Sequence, residues 1–429
     1  MAFSIRRLQL CAVFLSHVLA ARGDVLQSLR SSMSPHVLNA IERVITREKK
    51  CMAIFDFGGA LSHGRLTTAI LYYQIEHMNF AFTPEQFHQA FYLSTSDTKH
   101  CLESDILAVD DKGNTIPSAS FYATLHGLYK NLYDLKQVKS LDDIKRMQHF
   151  HQFRLLMLFY HQQFARMVEK NRECKRLQRY QVSRWWIYMP METVKTLAYE
   201  TGKYNAANNE NVKVGGIVTI RKQRAHVEYA FDFTLYEAPV ELIRILNEHD
   251  IYTAILTGAE HTMIAYYNEQ TLHAKSTFGV QYTHNVSEST VEGIPKAYAQ
   301  NSLELTIFAG FVQPDTIPPI AVGKYNIVEQ MMEIHGLEPC IVLADLVSDY
   351  GMLLSMTEGI LIAIEKEGSF PIHDAVMKYH SDVEDHHGAV RVYKQYIEKG
   401  TWVPYDNLID RLAIPSRFSP FNSLPQAFG

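Results

Sequence analysis

Four short apolar runs limit what this chain can fold into: CMAIF (51–55), IYTAIL (251–256), CIVLAD (340–345) and ILIAIE (360–365). None alternates apolar with polar, so each predicts a strand buried on both faces. Amphipathic stretches lie around them, APVELIRILNEH before the second strand and HTMIAYYNEQTL, GKYNIVEQMMEIHG and YGMLLSMTEG between the later ones. Buried strands alternating with helices predict an α/β fold, a parallel sheet covered on both faces. Ligands of such sheets bind at the carboxyl ends of the strands. Those ends carry Asp56, Thr257 and Asp345.

The first strand is separated from the other three by nearly two hundred residues of another character. From Arg65 to about residue 205 there is almost no strand signal; apolar residues recur at three- and four-residue spacing, with few glycines. TPEQF (83–87) reads as a helix start, with Thr83 capping, Pro84 first and Gln86 three beyond the cap. LDDIKRMQHFHQFRLLMLFYHQQFARMVEKNRECKRL reads as one long helix or two, and VGGIVTIRKQRAHVEYAF (214–231) alternates like a hairpin. At 429 residues two domains are expected. The division is a core from 21–64 and 238–400, a mainly helical insertion at 65–237 and a tail at 401–429, with 25–48 helical at the start of the core.

A net charge of -5 gives no pull toward nucleic acid or an anionic membrane. Residues 1–20 have the three parts of a secretory signal: two arginines in MAFSIRR, the apolar LQLCAVFLSHVLA, and small residues before a cut after Ala20. The apolar part is short for a membrane span. The mature protein is therefore expected to be exported, with no stable membrane anchor. Cys51, Cys101, Cys174 and Cys340 remain after cleavage, a count that permits disulfides.

Asp56, Thr257, Lys324 at the opening of a helix, and the pair Asp345 and Asp349 in ADLVSDYGML occur in that order. Order and settings resemble the four motifs of the haloacid-dehalogenase-like (HAD) hydrolase superfamily, over most of residues 50–365. GRLTTAILYYQIEHMNFAFTPEQF and WWIYMPMETVKTLAYETGKYN resemble the two ends of the cap in its phosphorylcholine-phosphatase-like and phosphoserine-phosphatase-like branch. The resemblance implies a Rossmann-like core with a cap between the first two motifs, and Mg²⁺-dependent chemistry on a small phosphorylated molecule. Asp56 would be the nucleophile, Thr257 would hold a phosphoryl oxygen, and Lys324 would neutralise charge. Asp56, Asp345, Asp349 and the Gly58 carbonyl would hold Mg²⁺, whose hard, oxygen-seeking character suits them. Those residue types fit the task, since a carboxylate attacks a phosphate dianion only when a cation screens the repulsion.

The first motif departs from the pattern. It reads Asp56-Phe57-Gly58-Gly59-Ala60, where the superfamily has a second aspartate at the third position and usually threonine at the fifth. Arg65 stands where this branch is often acidic, and Ala344-Asp345-Leu346 where glycine-aspartate-serine is usual. The missing aspartate is the family's general acid and base, a function worth about 10²–10⁴-fold in rate. Two readings follow: a phosphatase relative of weak or lost activity, up to a pseudoenzyme, or an active phosphomonoesterase on a phosphorylcholine-like substrate. For the second, Trp185 and Trp186 in RWWIYMP would bind a quaternary ammonium by cation–π contact; otherwise they are cap core. The basic run 166–184 reads as a solvated helix face, HSDVEDHHG (380–388) matches no metal-ligand spacing, and Asn285-Val286-Ser287 is a glycosylation sequon in a eukaryotic secretory route. In the fold that this chain resembles, the first and third strands are parallel neighbours. Cys51 and Cys340, each five residues before its motif aspartate, then come level, as a disulfide or as two buried thiols.

Overall fold

The structure, a computed structural model, describes residues 25–91, 106–169, 182–207, 212–231, 233–280, 282–286, 306–312, 322–366, 368–380, 389–399, 401–404 and 410–412. The signal segment 1–20, Cys101, Cys174, Ser287, residues 170–181 and residues 381–388 lie outside them.

The expected parallel sheet is present. β1 (Met52–Asp56) lies between β8 (Tyr252–Glu260) and β12 (Pro339–Ala344) and is parallel to both. β13 (Glu358–Ile364) and then β14 (Ala389–Glu398) extend the sheet beyond β12, and β9 (Ser276–Val280) closes the other side next to β8, all parallel. The segment assigned as a C-terminal tail supplies β15 (Thr401–Val403) and β16 (Asp410–Leu412). Both pair antiparallel with β14 and so cap the sheet's edge.

All five residues of β1 are buried, because successive side chains feed different layers. Ala53 and Phe55 join Ile341, Leu343, Ile360 and Ile362 in one core, which continues into the helices Pro35–Ile45 and Glu237–Glu248 and into the cap. Met52 and Ile54 join Val342, Leu361 and Val392 in the other, under the helices Val322–His335 and Pro371–His380. This is why the strand sequences show no alternation. YGMLLSMTEG, expected as a helix, is only a 3-10 turn at Val347–Met352. The turn is short, and the next strand begins at Glu358.

β2 (Ser62–Gly64) pairs antiparallel with β7 (Phe233–Leu235), so the chain leaves the core and returns to it at one neck. Between them lie the helices Leu66–His77, Ser118–Lys136, Gln148–Glu169 and Met191–Ala207, and the expected hairpin, β5 (Val212–Ile220) with β6 (Gln223–Phe231). One reading fails here: β3 (Ile106–Val109) and β4 (Thr115–Pro117) form a second hairpin in sequence that shows no strand signal. Its strands are too short to display alternation. The turn is nonetheless encoded, since the Asp110 carboxylate accepts the Lys112 and Asn114 N–H groups and Gly113 adopts φ +83°. TPEQF starts a turn before it starts a helix. The Thr83 N–H donates to Gln86 Oε1 at 3.0 Å, and helix runs only from Phe87 to Phe91. β10 (Tyr282–Val286) and β11 (Thr306–Val312) make a further antiparallel pair after β9.

Cys51 and Cys340 are joined as a disulfide, Cα to Cα 5.8 Å, between the strands that end in Asp56 and lead to Asp345. They are not strictly level. Met52 pairs with Pro339 but Ala53 with Ile341, so Cys340 falls in a register irregularity. The bridge closes a sequence separation of 289 residues. Cys51→Ala with Cys340→Ala is expected to cost roughly 2–4 kcal/mol, read as a lower denaturant midpoint. Non-reducing peptide mapping checks the premise: free alkylated thiols at both positions would rule the bridge out.

Candidate active site

The site is built at the carboxyl edge of three adjacent strands. Asp56 is the last residue of β1, and its strand partner in β8 is Leu256, so Thr257 comes one residue beyond it. On the other side Phe55 pairs with Leu343, which puts Asp345 just past the end of β12. Asp349 sits in the 3-10 turn that follows, where its Oδ2 accepts the Leu346 N–H at 3.0 Å and ties the loop down. Lys324, in the first turn of the helix Val322–His335, donates from Nζ to Asp56 Oδ1 at 2.5 Å and to Asp349 Oδ1 at 2.8 Å. A lysine only 2% exposed is tolerable here because two carboxylates pair with it.

Asp345 is the odd member. It is fully buried, and neither carboxylate oxygen has a hydrogen-bond partner. Among the described residues its ion-pair partner is Lys366, whose Nζ lies 3.4 Å from Oδ2 without hydrogen-bond geometry. Gly59 is fixed by the same carboxylate. Its φ is +95°, and a Cβ there would lie 2.0 Å from Asp345 Oδ2. Gly58 is different, since a Cβ at that position meets nothing within 4 Å and its φ is not positive. Position 58 therefore has room for a side chain. Thr257 is 3% exposed; its Oγ1 accepts the Ala259 N–H at 3.1 Å, which leaves the hydroxyl proton to donate.

Ligand oxygens of Asp56, Asp345 and Asp349 all lie within 4.8 Å of one another. Burial, and then the Asp349 charge, push the Asp56 carboxyl up to about 7 against the opposing pull of Lys324. Burial, and then Asp56 and Asp349, push Asp345 up to about 8. Burial alone would lower Lys324, but Asp349 and Asp56 outweigh it and raise its pKa. In their charged forms the three acids outnumber Lys324 and Lys366, and neither oxygen of Asp345 has the hydrogen-bond partner that its burial demands. A small oxygen-seeking dication fits this set.

The raised values give a test by pH. A carboxyl that holds its proton more tightly folded than unfolded loses stabilising effect as pH rises from its unfolded value toward about 8. A dication takes the deprotonated form and displaces the proton. The Mg²⁺-induced rise in thermal midpoint is therefore expected to be larger at pH 8 than at pH 5.5. A shift independent of pH, or absent at both values, would count against metal binding at these carboxylates.

The structure thus brings together Asp56, Gly58, Thr257, Lys324, Asp345 and Asp349. It does not bring Trp185 and Trp186 to them. Trp185 is fully buried among Phe91, Tyr160 and His161, and Trp186, 2% exposed, donates its indole N–H to Gln74 Oε1 at 2.9 Å. They are cap core, and a quaternary ammonium pocket built on them is withdrawn. Lys366 was missed; it follows β13 in KEGSF, and only the tertiary fold shows that it reaches Asp345.

No protein-family model matches the sequence, and no curated protein does. Among solved structures the chain is similar to a conserved, functionally unknown protein from Anaerococcus prevotii: 14% identity and TM-score 0.63, covering 88% of this chain and 96% of that one. Phosphoserine phosphatase, in a phospho-aspartyl intermediate analogue, overlaps more loosely, with 12% identity, TM-score 0.30 and 77% and 99% of the two chains covered. A HAD-family hydrolase from Salmonella enterica serovar Typhi gives 10% identity, TM-score 0.25 and 57% and 56% coverage. At these identities only the first likeness bears weight, and it bears on fold alone. What the chain itself shows is a parallel α/β core with a helical insertion after β1, and with Asp56, Thr257 and Asp345 gathered at the ends of β1, β8 and β12.

Proposed function

We propose that this chain is an exported HAD-like phosphohydrolase of weakened activity, acting on a small phosphorylated molecule with Mg²⁺. The observation that carries this reading is the buried Asp56–Lys324–Asp349 cluster beside the unpartnered Asp345. Asp56, Asp345, Asp349 and the Gly58 carbonyl would hold Mg²⁺, which when bound screens the repulsion between a carboxylate and a phosphate dianion. Lys324 holds Asp56 in place and offsets its charge, and the Thr257 hydroxyl donates to a phosphoryl oxygen. Asp56 attacks phosphorus, the ester P–O bond breaks, and the leaving oxygen departs with the bonding pair. In the superfamily pattern a carboxylic acid at position 58 protonates that oxygen and later activates water; here glycine offers neither service.

This makes the leaving group decisive. p-Nitrophenolate is stable as an anion and an alkoxide is not. With Mg²⁺ the protein is expected to turn over p-nitrophenyl phosphate at least about 10²-fold faster than an alkyl phosphate, the lower bound for lost general acid catalysis. Equal rates on both esters would place a proton donor somewhere in the site. Hydrolysis of neither, with phosphate esters still bound, would make the protein a non-catalytic binder on the same fold.

A further inference from the structure

One cleft, of about 1070 Å³, opens where the neck meets the core, and it reaches the reaction centre at Gly59, whose Cα packs against Asp345. Its charged lining comes from three separate parts of the chain. Arg65 stands at the start of the cap helix Leu66–His77, Lys366 follows β13, and Lys399 lies in the turn between β14 and β15. His63 adds a ring. The opposing acids are Glu237, which is exposed, and Glu365, whose Oε2 is already engaged by the Ile397 N–H at 3.0 Å.

Among the described residues no ion pair holds Arg65 or Lys399. Lys366 is held by Asp345 only at 3.4 Å, and a cation on Asp345 would compete for that carboxylate and release the lysine to the cleft. The cap helix at Arg65 begins without a side-chain cap, and Thr68 of its first turn also lines the cleft. Its open N–H groups reinforce the positive sign set by the side chains.

The cleft suits no quaternary ammonium. Tyr236 and Trp402 reach it but are 3% and 1% exposed, too deeply set to offer a ring face, and the Tyr229 ring is stacked on Phe231. A cationic head would also meet three basic side chains.

We infer that the ligand carries, besides the phosphoryl group at Asp56, a second anionic group, carboxylate or phosphate, held in this cleft by Arg65, Lys399 and Lys366. This rests on the reading of Asp56, Lys324 and the three acids as a phosphoryl site, and it names the ligand class for that site. In this reading Arg65 and Lys399 act on the distal anion and not on the phosphoryl group, so their loss changes preference and not the reaction.

The test compares phosphoglycolate, 1,3-propanediol bisphosphate, glycerol 3-phosphate and phosphorylcholine on the full mature protein with Mg²⁺. The readouts are dissociation constants by calorimetry and kcat/KM wherever turnover is measurable. One or both of the first two should bind at least about tenfold more tightly than phosphorylcholine, with glycerol 3-phosphate between, the scale of one charge-assisted hydrogen bond. Which of the two leads identifies the second group as carboxylate or phosphate. Arg65→Gln with Lys399→Gln should erase that preference while leaving p-nitrophenyl phosphate kinetics and the thermal midpoint unchanged. Equal binding of all four esters, tighter binding of phosphorylcholine, or an unchanged preference in the double variant would overturn the inference. Loss of p-nitrophenyl phosphate hydrolysis in the parent protein, with the anion preference intact, would instead defeat the hydrolytic reading and leave this one standing.

Discussion

Asp56→Asn is expected to reduce p-nitrophenyl phosphate turnover by about 10⁴-fold or more, the scale seen when a nucleophile is removed. The fold should survive. Asn has the shape of Asp, and the change removes opposed effects together: the hydrogen-bonded pair with Lys324, and the burial of a charge and the repulsion from Asp349 that raise the Asp56 pKa. Lys324 keeps Asp349 as a partner at 2.8 Å, so it is not left as an unpaired buried charge. The thermal midpoint should therefore move by only a few degrees. Two measurements are needed, steady-state hydrolysis and thermal melting, on the same preparation. Undiminished hydrolysis would remove Asp56 from the mechanism. Lost hydrolysis together with a collapsed midpoint would make Asp56 a structural partner of Lys324 and nothing more.

The core was readable because burial on both faces leaves a strong mark: Met52 to Phe55, Pro339 to Ala344 and most of Glu358 to Ile364 carry no polar side chains. Strand order was not in those runs. For the first and third strands it entered through the resemblance, and the parallel pairing of β1 with β12 agrees with it. Register was read less well. Counting five residues back from each aspartate treats the strands as level, but Asp56 stands one step behind Asp345, and the irregularity at Cys340 widens that offset toward the cysteines. The site acids and Lys324 were legible as a sequence of motifs, whereas Lys366 was not, since a cation contributed by a loop carries no periodic or spacing signal. Trp185 and Trp186 show the converse limit. An aromatic pair has the same composition whether it lines a pocket or fills a core, and only the rings around Trp185 and the Trp186 bond to Gln74 decide.

Gly58→Asp is expected to raise hydrolysis of alkyl phosphates by about 10²-fold, the lower end of what general acid–base catalysis supplies. The steric premise is secure at this position and not at its neighbour. A side chain at 58 enters open space, while one at 59 would collide with Asp345 and would have to adopt φ +95°. The introduced carboxyl must be protonated to serve the leaving oxygen. The gain for p-nitrophenyl phosphate should be much smaller, since its leaving group needs no proton. The ratio of alkyl to aryl kcat/KM is therefore the informative readout, and it is insensitive to differences in the active fraction of each preparation. A rise in both rates by the same factor would mean that the new side chain orders the Gly58-Gly59 loop and transfers no proton. An unchanged ratio in a well-folded variant would point to Ala60, where the motif also lacks its threonine hydroxyl, as the second defect.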